Sequence, residues 1–343
     1  MSSMGWEGMF REMRGDDRRA ALEALLAVME EDASGGVPRE GAPCCPRCGC
    51  PRVVRRGHDA DGAQRWLCRG CGRTFRGSTG SVLAASRLDG AVWAEYAAMM
   101  VSGATLRDCA AACGVSLRTS FSMRHRLLEV MERSLPAFEA GPGCPVQVDE
   151  TLVPDSLSGN HSLGGAPMPR TARMRGGDGA AGGVSRDKVA VVVAVNPRGG
   201  VFLQEACRGK LGVGDARRAM AGCALAGAVV STDRQKGYVR ALREMGAAAH
   251  LRFAAGGPRA PLNLVNAVHS ALKAFLARFR GVSTRRLHGY LMWFKWQREA
   301  RRLGDLPGAI REHMSSARYR LTWRERVAEP YPFHPEMSVQ IGG

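Results

Sequence analysis

Val146-Gln147-Val148-Asp149-Glu150-Thr151 alternates apolar and polar side chains, the period of a half-buried strand, and puts Gln147, Asp149 and Thr151 on one face. Further on, Ala228-Val229-Val230-Ser231-Thr232-Asp233 is an apolar strand that ends in a carboxylate. Between the two lie a nearly continuous apolar strand in Lys188–Asn196, its hairpin partner Val201–Ala206, and a helical stretch over 213–224. After Asp233 come a helix at Gln235–Met245, a short strand at His250–Phe253 and a long helix at Asn263–Arg280. The texture from Val146 onward is α/β, and the expected domain is 145–300.

Three meandering strands followed by alternating helices and strands is the element order of the ribonuclease-H-like fold. There, acids on the first and fourth strands meet a polar residue of a later helix around divalent metal. Mg²⁺ or Mn²⁺ asks for oxygen ligands, few of them from protein, with positions left for phosphate and water. Asp149 and Asp233 offer two carboxylates, although Glu150 competes with its neighbour and a strand-end Asp is often only a helix cap. No acid lies between Glu244 and Glu299, so a third carboxylate is missing. The long helix instead presents Asn266, Ser270 and Lys273 on one face. An amide oxygen can ligate a hard cation, and an ammonium can hold phosphate. His269 either borders that site or packs.

Of 343 residues 45% are hydrophobic and 24% charged, enough apolar content for at least one core, which excludes a wholly disordered chain. The longest apolar run, Val189–Val195, is too short to span a bilayer, and the first residues do not read as a signal peptide. A cytoplasmic protein with no membrane partner is expected. The net charge of +17 points to a polyanion, and nucleic acid leads the candidates. Because 44 of the basic residues are Arg and only 5 are Lys, arginine richness by itself reads as a bias of the whole sequence. Eleven cysteines in a cytoplasmic chain suggest metal or buried thiols rather than disulfides.

Cys45-Pro46-Arg47-Cys48 and Cys68-Arg69-Gly70-Cys71, nineteen residues apart, have the spacing of a four-cysteine zinc site, here a zinc ribbon over 42–80. Gly49 and Gly72 follow the two pairs and let backbone N–H groups turn toward sulfur; Arg52–Arg56 and Gln64–Leu67 read as strands around a turn at 58–62. Cys44 and Cys50 flank the first pair and leave its register open. Arg52, Arg55, Arg56, Arg65, Arg69, Arg73 and Arg76 suit phosphate contact or a merely solvated basic face.

Within the helical segment 88–136, Thr105–Ala112 is a short helix, Cys113-Gly114-Val115 a turn, and Ser116 the cap of a second helix. That is a helix-turn-helix pattern, in which Arg118, Thr119, Arg124 and Arg126 of the second helix would face DNA. An N-terminal helical segment and linker (1–40) and a basic tail (301–343) flank these regions, and the Gly/Pro/Arg loop 154–187 is long enough to be functional.

Taken in order, these motifs resemble bacterial insertion-sequence transposases that carry an N-terminal zinc ribbon and a ribonuclease-H-like domain, in the Asp-Asp-Asn-Lys variant. The resemblance covers roughly 42–297. It rests on both cysteine knuckles, Ser122-Met-Arg-His-Arg126, Val148-Asp-Glu-Thr151, Ser158-Gly-Asn-His161 and Met168-Pro-Arg170. Ser185-Arg-Asp-Lys188, Thr232-Asp233 with Tyr238, Asn266-Ala-Val-His-Ser-Ala-Leu-Lys273, Phe279-Arg-Gly-Val-Ser-Thr284 and Tyr290-Leu-Met-Trp-Phe294 extend it. Arg285 and Arg286 depart from the Lys-Tyr usual there, as does the Gly-rich stretch 176–183. The resemblance implies a multidomain transposase with Asp149, Asp233, Asn266 and Lys273 as catalytic set, structural Zn²⁺ on Cys45, Cys48, Cys68 and Cys71, and catalytic Mg²⁺ or Mn²⁺. Double-stranded DNA would be its partner, bound by a homo-oligomer of at least two copies. A non-catalytic DNA-binding regulator and a structure-directed nuclease on the same fold are the rival readings.

Overall fold

The computed structural model describes residues 44–60, 62–80, 82–84, 86–158, 183–254, 261–303 and 332–334. The expectations for 1–40, for most of loop 154–187 and for most of the tail lie outside the described residues. The chain divides into two compact units, 1–134 with 303–323 and 135–302 with 324–343.

The first unit opens with a three-stranded antiparallel sheet, β1 (Val53–His58), β2 (Gln64–Cys68) and β3 (Thr74–Arg76), paired in that order. Its pairing sets Val53 opposite Cys68, Arg55 opposite Trp66 and Trp66 opposite Phe75, then slips by one residue before His58 meets Gln64. The third strand was not foreseen from sequence, since three residues carry too little pattern. The core beneath is only Cys45, Cys68 and Phe75, with Cys50, Val53 and Trp66 packed against it. A core that small does not hold a sheet without a further staple.

Three helices follow. In α1 (Gly90–Val101) the Asp89 carboxylate accepts the Ala91 N–H at 3.1 Å. In α2 (Leu106–Ala112) Thr105 and Asp108 form a reciprocal capping box. Gly114 then turns the chain at φ 61°, where a side chain would be strained, and Ser116 Oγ accepts the Thr119 N–H to start α3 (Leu117–Ser134). Polar groups stitch the inside: the Tyr96 hydroxyl donates to the Ser120 carbonyl at 2.6 Å, and Ser120 Oγ donates to the Leu106 carbonyl.

This packing corrects part of the expected DNA-contact set. Arg124 is 0% exposed, and its guanidinium donates to the Ala104 carbonyl at 2.7 Å and contacts Cys109 Sγ. It ties α3 to the turn before α2 and does not reach solvent. Arg126 is half-buried, donates to the carbonyls of Val82 and Ala84, and lies over the Trp93 ring. Thr119 is engaged with the Ser116 cap, and Arg118 is exposed.

The second unit is built on a five-stranded sheet of order β10-β9-β5-β6-β7. Its strands are β5 (Pro145–Pro154), β6 (Lys188–Val195), β7 (Val201–Arg208), β9 (Val229–Thr232) and β10 (Ala249–Arg252). The first three form an antiparallel meander, while β9 runs parallel to β5 and β10 parallel to β9. Residues 189–194 of β6 are wholly buried, as expected of a strand covered on both faces.

One face packs Val146, Val148, Val192, Ala194 and Val230 against α4 (Val213–Ala219) and α5 (Gly237–Glu244). The helix expected over 213–224 stops at Ala219; a 3₁₀ turn and β8 (Cys223–Ala224) follow, with β8 pairing parallel to β4 (Phe138–Glu139). The 3₁₀ turn over Met220–Gly222 brings Cys223 to be buried beside Phe138.

Along β5 and β6 lies α6 (Asn263–Ala277), with Val265, Val268, Leu272 and Phe275 buried. Phe275 and Phe279 meet Trp293 of α7 (Leu287–Leu303), both with ring centroids 5.2 Å apart, and this fixes the outer helix.

Candidate functional site

Register decides which acids meet. Gln147 pairs with Ser231 between the parallel strands β5 and β9; two residues on along each chain come Asp149 and, just past the end of β9, Asp233, near enough for their charges to interact. Asp149 lies toward α6 and Glu150 toward α5, because strand side chains alternate. Glu150 is committed there: it accepts the Tyr238 hydroxyl at 2.8 Å and the Gln235 amide at 3.3 Å. Burial, followed by the Glu150 charge, keeps the Tyr238 phenol protonated well above its ordinary range.

The Asp149 carboxyl is raised to about 7, first by burial and then by the charges of Glu150 and Asp233. Two carboxylates crowded with little compensation are a donor set that suits a hard divalent cation. Asp233 keeps one oxygen on the Gln235 backbone N–H at 2.8 Å.

The side chain of α6 that approaches Asp149 is His269, Nδ1 to Oδ2 4.0 Å. That is longer than a hydrogen bond, and no ion pair forms, because burial and the Lys273 ammonium hold the imidazole down to about 4 and therefore neutral. His269 Nε2 is buried without a hydrogen-bond partner. Asn266 and Lys273 are exposed one turn before and one turn after His269 on the same helix face. Asp149 and Asp233 are thus brought together, His269 is set against them, and Asn266 and Lys273 flank it from the solvent side.

Sequence reasoning placed Gln147 on the Asp149 face without giving it work. Its carbonyl oxygen accepts the Val265 N–H at 3.0 Å and its amide donates to Asn263 Oδ1 at 3.3 Å. The Leu262 cap of α6 supplies no side-chain hydrogen bond, so Gln147 caps this helix from the strand and sets its height relative to Asp149. Past the end of β5, buried Asp155 accepts Thr284 Oγ1 at 2.7 Å and pairs with His334 at 2.8 Å and Arg208 at 3.2 Å. Partners that far apart in the chain leave no pattern in sequence.

The second chemical centre is in the first unit. Sulfur atoms of Cys45, Cys48, Cys68 and Cys71 all lie within 4.8 Å of one another. Cys45 and Cys71 sulfurs are 3.8 Å apart, those of Cys48 and Cys68 3.6 Å; a tetrahedral Zn–S₄ centre with 2.3 Å bonds has edges of about 3.8 Å. Burial pushes Cys45 up, but the backbone N–H groups of Arg47 and Cys48 outweigh it and bring the thiol down to about 7. Cys68 receives the N–H groups of Cys71 and Gly70, yet burial and the Cys48 and Cys45 sulfurs drive it up to about 12. Four thiolates therefore require a cation among them, and the four cysteines can hold one. Cys44 and Cys50 stay outside the group, which closes the register that the sequence left open.

No helix among the described residues is long and apolar enough to cross a membrane. No family model matches the sequence. Over 117 residues the chain is 32% identical to an uncharacterized protein in the transposable element ISH50 of Halobacterium salinarum. That match spans 34% of this chain and 38% of that protein. The chain is also similar to a solved structure, a pre-cleavage Mos1 transpososome, at 14% identity with 69% of this chain and 81% of that chain covered. The TM-score is 0.26, a superposition too loose to relate individual residues.

Proposed function

We propose that the protein is a DNA transposase of an insertion sequence, with Asp149 and Asp233 at its catalytic centre. The observation that carries this reading is Asp149 on β5 and Asp233 just past the end of the neighbouring parallel strand β9, near enough for their charges to interact, in a sheet whose order is that of ribonuclease-H-like domains. The relative from a transposable element supports it, as does the basic charge of the chain.

In this reading Asp149, Asp233 and Asn266 hold Mg²⁺ or Mn²⁺, and Lys273 is the fourth catalytic residue. The bound cation supplies Lewis acidity toward a phosphodiester and lowers the pKa of water. The residues do the rest. Gln147 fixes the register of α6, and Glu150 with Tyr238 locks the strand that carries Asp149. Neutral His269 walls the site without adding a cation. Lys273 reaches the phosphate from the open side and offsets charge as it builds on the phosphoryl oxygens. Water breaks one phosphodiester at an element end and frees a 3′-hydroxyl. That hydroxyl then attacks a target phosphodiester in line, so that one bond forms, one breaks, and a target 3′-hydroxyl departs.

Unit 1 is the end-binding part: a zinc ribbon held by Cys45, Cys48, Cys68 and Cys71, and a helix-turn-helix that exposes Arg118. Synapsis of two ends requires at least a dimer on DNA.

The test incubates the full chain with labelled duplexes from both sides of its gene and a plasmid target in Mg²⁺, alongside Asp233→Asn. Joined products from the wild type alone, with end binding retained by Asp233→Asn, are expected. Joining that survives in both Asp149→Asn and Asp233→Asn refutes the assignment. Cleavage without joining means a nuclease, and binding without cleavage a regulator.

A further inference from the structure

The zinc centre and the small core account for one face of the first sheet and leave the other unexplained. Cross-strand pairing puts Val53, Trp66, Cys68 and Phe75 on the core side, with exposed Arg55 covering Trp66 there. The alternate positions Val54, Arg56, Arg65, Leu67 and Thr74 face outward. On this outer side Arg47, Arg56, Arg65 and Arg73 gather around Leu67 and Thr74 on a shallow surface, about 620 Å³ in volume, that is open to solvent.

We propose that this arginine-lined face is a docking surface for the phosphate backbone of duplex DNA. It deepens the transposase reading and rests on it. Among the described residues no carboxylate lines this surface; Asp59, outside it, holds Arg65 at 3.2 Å and Arg76 at 3.6 Å. Arg47, Arg56 and Arg73, gathered on one open face beside the Arg65 that Asp59 holds, repel one another until an anion docks, and their planar forks match phosphate oxygens two at a time. The Thr74 hydroxyl adds a neutral donor.

This face also lacks what other nucleic-acid surfaces use. Among the described residues no aromatic ring lines it: Trp66 belongs to the inner face, where Arg55 covers it at 5.8 Å. Bases of a single strand would find no stacking platform there. No helix of the described residues lines it to read a groove, so its contacts position the duplex and do not discriminate sequence.

The experiment measures binding of zinc-loaded full chain to labelled duplexes by fluorescence anisotropy over a series of salt concentrations. One duplex comes from the flank of the gene, one is scrambled, and a single strand and a polyglutamate are controls. Replacing Arg47, Arg56 and Arg73 together by Gln is expected to flatten the plot of log K against log salt. The decrease should be about 2.7, near 0.9 per phosphate contact. Affinity should fall by the same factor on both duplexes, with zinc retained by native mass spectrometry. If the triple variant loses zinc, Arg56→Glu alone decides: a flatter slope supports the surface and a wild-type slope refutes it.

A zinc-loaded triple variant with the wild-type slope overturns the proposal and leaves the transposase reading standing. So does a loss confined to one duplex, or a surface that prefers polyglutamate or the single strand. A wild-type chain that binds no duplex at low salt overturns both.

Discussion

Replacing Asp149 by Asn should stabilise the metal-free second unit, and the gain should depend on pH. Folding keeps the Asp149 carboxyl protonated to about 7, whereas the same group in the unfolded chain ionises near 3.8. Its side chain is only 20% exposed, so solvent screens little of this. About three pH units at 1.4 kcal/mol each make roughly 4 kcal/mol. The sign follows from the raised folded value. Below 3.8 both states carry the proton and nothing is lost; stability then falls as pH rises, and the loss is complete above about 7. Asparagine copies the protonated carboxyl and removes the penalty. Asp149→Asn is therefore worth roughly 4 kcal/mol near pH 8 and almost nothing near pH 3.5. Mg²⁺ should close the gap, because a cation that binds the anionic pair stabilises the wild type and does little for the variant. Hydrogen exchange of peptides from β5 and β6, with and without Mg²⁺ across that pH range, reads the second unit without mixing in the first. A gap independent of pH, a variant less stable at pH 8, or indifference of the wild type to Mg²⁺ would refute the reasoning.

The arginines of α3 should separate by role. Arg124→Met strips the Ala104 carbonyl of its buried donor and should cost unit 1 about 2 kcal/mol in thermal melts, whereas Arg118→Ala should leave the melt unchanged and weaken duplex binding. Equal effects of the two on stability would contradict the packing. Gln147→Ala removes the cap of α6 and should cost only about 1 kcal/mol of stability while lowering strand-transfer rate at saturating DNA more than tenfold. Gln147→Glu, which keeps the acceptor for the Val265 N–H, should recover part of that rate. Loss of rate that merely tracks unfolding would reduce Gln147 to a structural residue.

Much of this was legible because two patterns are local. Period-two alternation at Val146–Thr151 and the apolar run before Asp233 are properties of single strands, and Cys-x-x-Cys spacing belongs to a single knuckle. Arg124 was misjudged although the signal existed. Ser120, Arg124, Leu127 and Met131 fall at helical spacing on one buried stripe, so the stripe, not the charge, assigns Arg124 to the interior. His269 sits on the stripe of Val265 and Leu272 in the same way and turns inward, while Asn266 beside it stays exposed. Gln147 with Val265 and Asp155 with His334 were beyond reach, since contacts across more than a hundred residues leave no periodicity.

The pair Asp149-Glu150 shows how the fold resolves what adjacency leaves ambiguous. Two neighbouring acids on a strand must face opposite sides of a sheet, and here those sides differ in what they offer. The α5 side brings Tyr238 and Gln235 to Glu150, donors that satisfy a carboxylate where it stands. The α6 side brings Asp149 a second carboxylate, Asp233, by register, and a neutral imidazole 4.0 Å away, neither of which satisfies it. A buried acid answered by hydrogen bonds belongs to the architecture. One raised to about 7 by burial and by its neighbours, beside an open helix face carrying Asn266 and Lys273, is the acid to which the proposed transposase reading gives the cation and the phosphate.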